Sequence, residues 1–163
     1  MNRFSATTES GAVVAAERSA LWAVLTDPKL LPELTPLLER IETNGTLWRW
    51  HMKRIAALGV GISPCFTERM HFDEGRRIEY EHEPAAGVTE RTGADGWYEL
   101  IDVDGGTELG IKLTLHVDLP LPRTAALAVE RVMKSTMART GDRFSANLLR
   151  HLGLDSSGVV TLK

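Results

Sequence analysis

The groups in this chain able to exchange protons near neutral pH are five histidines: His51, His71, His82, His116 and His151. Their spacing matches no zinc motif, and no HExxH stretch occurs. The one cysteine, Cys65, has no second thiol for a disulfide or a Cys-based metal site. No metal site and no cofactor is therefore expected. His51 and His116 fall on the charged sides of strand-like alternations and read as solvated. His71 shares a side with Arg69. His82 differs, because it alternates with Ile78 and Tyr80 on an apolar side. It is either a hydrogen-bonded core histidine, the commoner fate of a lone inward imidazole, or a polar group in a pocket. Glu68 poses a similar choice. If Phe66, Met70 and Phe72 point to the core, Glu68 points with them, which is costly unless the carboxylate is paired or protonated. An edge or bulged strand that lets Glu68 reach water is the alternative. Cys65 lies beside Pro64 with nothing basic evidently near, so it reads as an inert thiol. Gly59 and Gly61 lack the strand and helix context of a phosphate loop and read as a flexible entrance loop. These residues assign no catalytic group.

The large side chains suggest a place for a ligand. Trp48, Trp50 and Met52 alternate on one side of TLWRWHMKR, opposite Arg49, His51 and Lys53. Tyr80 and Tyr98 sit on later strands, and Met133, Met137, Thr140 and Phe144 fall on one stripe of a helical segment. Aromatic rings with a polar handle suit a pocket wall, and Met adapts to gaps and to varied ligands. Thr136 and Thr140 tilt that stripe toward a pocket, since a face built only for packing favours aliphatics. The expected ligand-lining set is Trp48, Trp50, Met52, Tyr80, His82, Tyr98, Met133, Met137, Thr140 and Phe144. A filled core is the competing reading.

The elements that must position these residues follow from periodicity. Phe4 to Ala16 reads as a first strand, and Glu17 to Thr26 as a short helix. Asp27-Pro28 can open a second, short helix, because Asp caps free N–H groups and Pro suits the first turn. Leu38–Thr43 and Thr46–Arg54 form a hairpin about Asn44-Gly45, whose two turn positions are expected at positive φ. Ala57 to Pro64 reads as a loop or distorted crossover. Cys65–Phe72 pairs with Arg77–Glu83, and Val88–Asp102 with Thr107–Leu119. Leu109, Ile111, Leu113, Leu115 and Val117 face one way on the last of these. From about Arg123 to Leu152 the period is helical, with Gly141 in the middle marking a kink or a close backbone approach. Residues 1–153 form one domain, and 154–163 a frayed polar tail.

Composition narrows the classes. The 163 residues are 43% hydrophobic and 25% charged, ordinary for a soluble globular domain. The net charge of −3 implies no basic face, so no nucleic-acid partner is expected. No signal peptide or membrane-spanning segment is visible, which makes integral membrane association unexpected and a cytoplasmic setting the default.

ALWAVLTDPKLLPELTPLLERIE resembles the N-terminal helix pair of the START-like (SRPBCC) superfamily, and ADGWYELIDVDGGTELGIKLTLHVDLP is similar to that superfamily's last hairpin. The superfamily includes polyketide cyclases/dehydrases, plant pathogenesis-related class 10 proteins and lipid-transfer domains. With the terminal helix, the resemblance covers nearly the whole chain. It implies an α+β helix-grip fold: a curved antiparallel sheet of about seven strands around a long C-terminal helix, two short helices after the first strand, and a cavity between helix and sheet. It implies no shared catalytic motif. Nothing matches the abscisic-acid receptors or the ring-hydroxylating oxygenases, and no Rieske-type ligands are present.

Three functions are compatible with these observations. The first is binding or carriage of a small hydrophobic or amphipathic molecule, lipid or polyketide-like, in an internal cavity. The second is a polyketide cyclase/dehydratase-type enzyme, with His82, Tyr80, Tyr98 and Glu68 guiding proton transfer. The third is a ligand-sensing interaction module. The sequence carries no information on oligomeric state.

Overall fold

The computed structural model describes residues 1–162. Eight strands form one antiparallel sheet: β1 (Asn2–Val14), β2 (Leu38–Asn44), β3 (Leu47–Met52), β6 (Cys65–Asp73), β7 (Arg77–His82), β8 (Thr92–Val103), β9 (Gly106–Leu119) and β10 (Val159–Leu162), in the order β10-β1-β9-β8-β7-β6-β3-β2. A separate two-stranded hairpin, β4 (Ile55–Ala57) and β5 (Val60–Ile62), stands where an irregular crossover was expected. Helices α1 (Arg18–Leu25) and α2 (Leu31–Leu34) follow β1, and α3 (Ala126–His151) follows β9. This is the helix-grip fold.

Local chemistry explains most boundaries. Leu21, Val24 and Leu25 of α1 are buried, which is the helical spacing of its apolar stripe. Asp27 Oδ1 accepts the N–H groups of Lys29 (2.9 Å) and Leu30 (3.1 Å), the capping role its short acceptor favours. The β2–β3 turn differs by one residue from the expectation. Asn44 pairs with Leu47, so Gly45 and Thr46 are the central residues, and only Gly45 has positive φ, at 60°. Glycine at the first central position is what a type II′ turn requires.

Two corrections concern the C-terminal part. The segment expected to trail off as a tail adds β10 to the sheet, pairing Val159–Leu162 with Gly11–Val14. The alternation is too short to announce a strand, but β1 leaves unpaired backbone groups at that edge. Gly141 neither breaks α3 nor meets a neighbour, and a Cβ placed there has open space. Gly141→Ala is therefore expected to stabilise the protein by about 0.5–1 kcal/mol, because only backbone entropy changes. Urea unfolding of the two proteins checks this, and a destabilised variant would refute the open placement.

The core falls into two parts. The main cluster joins α1, α2 and the end of α3 to the sheet, with Leu21, Trp48, Met70, Ile78, Tyr80, Leu100 and Leu148 buried in it. A smaller cluster at the start of α3 gathers Phe4, Val117, Leu119 and Val129, with Val60 and Ile62 of the β4–β5 hairpin and Met133 packed against it. The middle of α3 belongs to neither cluster: Met137, Thr136 and Thr140 are half-buried. The long helix is thus pinned at its two ends and stands over a seam between two cores.

Candidate functional site

The sheet wall of this seam is built by cross-strand pairing. Trp48 lies opposite Glu68, Trp50 opposite Phe66, Met70 opposite Tyr80 and Ile78 opposite Tyr98. Neighbours in register on one side of a sheet touch. Trp50 stacks on Phe66 with centroids 6.4 Å apart, Trp48 leans on Trp50 at 6.2 Å, and Tyr80 meets Tyr98 at 5.6 Å. Trp48 and Tyr80 are buried, whereas Trp50, Met52, Tyr98, Ile111 and Leu113 are half-buried on the sheet side of the seam. On the helix side Met133, Met137, Thr140 and Phe144 are also half-buried. Phe144 packs with the main cluster and Met133 with the smaller one. The seam is half-open rather than an enclosed chamber. Two open concavities of the surface lie elsewhere, one at the α1 end and one beside Arg18 and Asp102.

Glu68 is the polar centre of this wall. β6 lies inside the sheet between β7 and β3, not at an edge, and Glu68 is 3% exposed. The expectation that it reaches water is overturned. Burial pushes its carboxyl well above the ordinary carboxylate range; the nearby Trp50 indole opposes this, and Asp95 adds to it. The Trp50 N–H favours the anion but misses hydrogen-bond geometry, so its Nε1 stays buried and unpartnered. Burial thus favours the protonated form of Glu68, which can donate one hydrogen bond and accept others.

Tyr80 is held in place by its own hydroxyl, which donates to the backbone carbonyl of Lys112 on β9 at 2.9 Å. The ring must cross β8 to do so, and it crosses at Gly96. A Cβ there would lie 2.6 Å from the Tyr80 hydroxyl and 2.0 Å from the Lys112 oxygen. Burial raises both tyrosine hydroxyls above their ordinary range, so they stay protonated.

His82 is not on the wall with Tyr80. Its ring lies 4.8 Å from His116, and a Cβ on Gly93 would strike both rings. Gly93 and His116 pair with one another on the opposite side of the sheet from Ala94 and Leu115. His82 Nε2 contacts Glu90 Oε2 at 2.9 Å, and Glu90 also accepts the Thr67 backbone N–H (2.8 Å) and hydroxyl (2.7 Å). Glu90 thus replaces the strand that β7 ceases to provide after His82. Burial opposes ionisation of Glu90, but the Thr67 hydrogen bonds and His82 outweigh it and hold the carboxyl below its usual range. His116 was expected in water. Its Nε2 is buried without a partner, and burial first, then the Arg3 and His82 charges, hold its imidazole below the usual value.

Cys65 also has company that the sequence did not disclose. Arg49 Nε donates to its sulfur at 3.2 Å, and His51 Nδ1 lies 3.6 Å away. His51 Nε2, expected in water, is buried and sits 3.2 Å from Glu42 without hydrogen-bond geometry. Strand pairing of His51 with Cys65 causes this, a contact across 14 residues. Among the described residues no group of three or more His, Cys, Asp or Glu could hold a metal ion. Among the described residues no helix is long and apolar enough to cross a membrane.

The family described as polyketide cyclase / dehydrase and lipid transport matches residues 3–148. The chain belongs to this family. Among solved structures, the di-domain ARO/CYC StfQ from the steffimycin biosynthetic pathway superposes with a TM-score of 0.63 at 16% identity. The match covers 89% of this chain but only 49% of StfQ, so the chain spans about half of that protein. A START superfamily protein from Mycobacterium smegmatis gives a TM-score of 0.60 at 16% identity, covering 91% of this chain and 97% of that one. The Zhui aromatase/cyclase from Streptomyces sp. R1128 gives 0.60 at 16%, with coverages of 92% and 93%. At these identities the likeness is one of fold. Curated protein sequences give no match.

Proposed function

We propose that the protein binds a small hydrophobic or amphipathic molecule, lipid- or polyketide-like, in the seam between the middle of α3 and the sheet. Trp50, Met52, Tyr98, Met133, Met137, Thr140 and Phe144 line the bound molecule, with Trp48 and Tyr80 as the buried backing. The observation that carries the reading is a buried Glu68 carboxyl beside an unpartnered Trp50 N–H, set in an aromatic wall under a half-buried stretch of helix. Buried polar groups are normally satisfied. A ligand carbonyl or hydroxyl would satisfy both donors while its apolar body covers the half-exposed rings. The family and the aromatase/cyclase folds support this ligand class.

Burial, which favours the protonated form of Glu68, also supports a second reading, a cyclase/dehydratase-type enzyme in which Glu68 is the general acid. His82, engaged with Glu90 and His116, has no part in either reading.

Titration of an apolar, environment-sensitive dye, displaced by fatty acids or aromatic polyketides, tests the proposal. Affinity in the micromolar range is expected, roughly −8 kcal/mol. Met137→Trp should fill the seam and abolish binding with the fold intact. If no member of the panel binds saturably and Met137→Trp only destabilises the protein by the ~1–3 kcal/mol of overpacking, the seam is packed core. Glu68→Gln separates the two readings. The amide keeps a donor, so a carrier retains binding, whereas an enzyme retains binding and loses turnover.

A further inference from the structure

An open cleft of about 490 Å³ lies at the α1 end of the molecule, apart from the seam. Trp22 of α1, Trp48 of β3 and Phe72 of β6 supply its rings, Thr26 and Thr43 its hydroxyls, and Glu74 its only charge. The rings stand at angles rather than stacked. Trp22 meets Phe72 edge-on at 6.2 Å and 79°, and Trp48 meets Phe72 at 5.9 Å and 52°. Phe72 is 40% exposed although it ends a strand whose other inward residues are buried. Trp48 separates the cleft from the seam, since it touches Trp50 on one side and Phe72 on the other.

The polar lining is one-sided. The Thr26 hydroxyl already donates to the Trp22 carbonyl at 2.7 Å, so it offers lone pairs to the cleft. No Lys or Arg lines the space. Glu74 has no ion-pair partner among the described residues. Its neighbours are committed: Asp73 faces Arg76, and Arg18 joins Asp102 and the Gly75 carbonyl. Angled π-faces, hydroxyl acceptors and one free carboxylate together repel anions and attract a cation too large and weakly hydrated to prefer water.

We propose that this cleft is a second binding site, for a quaternary-ammonium group. The trimethylammonium end seats among Trp22, Trp48 and Phe72, and Glu74 balances its charge. The site is distinct from the one beneath α3, the two sharing only Trp48 as the wall between them.

Choline chloride is titrated into ¹⁵N-labelled protein while the indole N–H signals are followed. Saturable shifts of the Trp22 and Trp48 signals are expected, with Trp97, stacked under Arg77 on another strand, unmoved. The neutral isostere 3,3-dimethylbutan-1-ol should bind at least about ten-fold more weakly. Phe72→Leu keeps apolar bulk without a π-face and should weaken choline by about five-fold or more; Glu74→Gln should weaken it by about three-fold. Glu68→Gln should leave choline binding unchanged, which separates this site from the seam. Co-sedimentation with phosphatidylcholine vesicles, compared with free choline, decides whether a lipid headgroup or a free cation is the source. Equal affinity for the isostere, no saturation by choline, or wild-type affinity in both the Phe72 and Glu74 variants overturns the proposal.

Discussion

Glu68→Leu is expected to raise the melting temperature by roughly 3–6 °C while lowering ligand affinity at least about ten-fold. The carboxyl occupies a wall otherwise made of Trp48, Trp50, Phe66, Met70 and Tyr80, and it is 3% exposed. Holding an unpaired polar group there costs about 1–3 kcal/mol, which leucine removes with little change in volume. The change also has a pH signature. Burial raises the folded carboxyl well above its ordinary value of 4.5. Above that value the unfolded chain gives up the proton and the folded chain keeps it, so the folded state binds more protons. Stability therefore falls as pH rises from about 4.5 toward the folded value, and is fully retained below 4.5. Glu68→Leu should abolish this slope. Urea midpoints of both proteins between pH 4 and 8, together with dye titrations, check it. A variant that is less stable than the parent, or that keeps the same pH slope, would show that the carboxyl is paired and charged. Stability gained as binding is lost is the expected behaviour of a polar group retained for function.

Gly96→Ala is expected to cost about 2–3 kcal/mol and to lower the melting temperature by roughly 5–10 °C. One methyl group is enough, because it would sit 2.0 Å from the Lys112 carbonyl oxygen and 2.6 Å from the Tyr80 hydroxyl. The oxygen is backbone in the adjoining strand, so β8 must part from β9 or the Tyr80 ring must leave its acceptor. Tyr80→Phe alone removes one buried hydrogen bond and should cost about 1 kcal/mol. In the double variant the costs should not add, since the clash with the hydroxyl disappears and that with Lys112 remains. Thermal unfolding of the four proteins measures the coupling. Simple additivity would mean that Tyr80 does not cross β8 at Gly96.

Alternation and period carried most of the fold. Leu109, Ile111, Leu113, Leu115 and Val117 share a side of β9, and the change to helical spacing after Pro122 placed α3 within a few residues of Ala126–His151. These are local properties, and a period of two or of 3.6 is legible without knowing what lies across from it. The inward side of Trp48 and Trp50 came from the same rule. β10 did not, because four residues after a helix show no usable period and its partner is β1, some 150 positions away, at Gly11–Val14.

The chemistry of the site was less legible, for a physical reason. What a titratable side chain does depends on its neighbours across strands, and register is non-local. Glu68 could be read as inward or as wet; its place in β6, between β3 and β7, buried it and raised its carboxyl above the ordinary range. His82 obeyed alternation in sequence yet left the wall, because the chain departs from the sheet after β7 and the carboxylate of Glu90 takes the vacated strand's place. Cys65 acquired Arg49 and His51 only through the pairing of β3 with β6. The sequence by itself determined the order of the main strands and helices, the side that β3 and β9 bury and the stripe of α3, since these follow from local geometry and the burial of apolar surface. Only the tertiary structure decided which polar groups share a neighbourhood, and hence which are charged, because desolvation and pairing energies arise from contacts that the linear order does not contain.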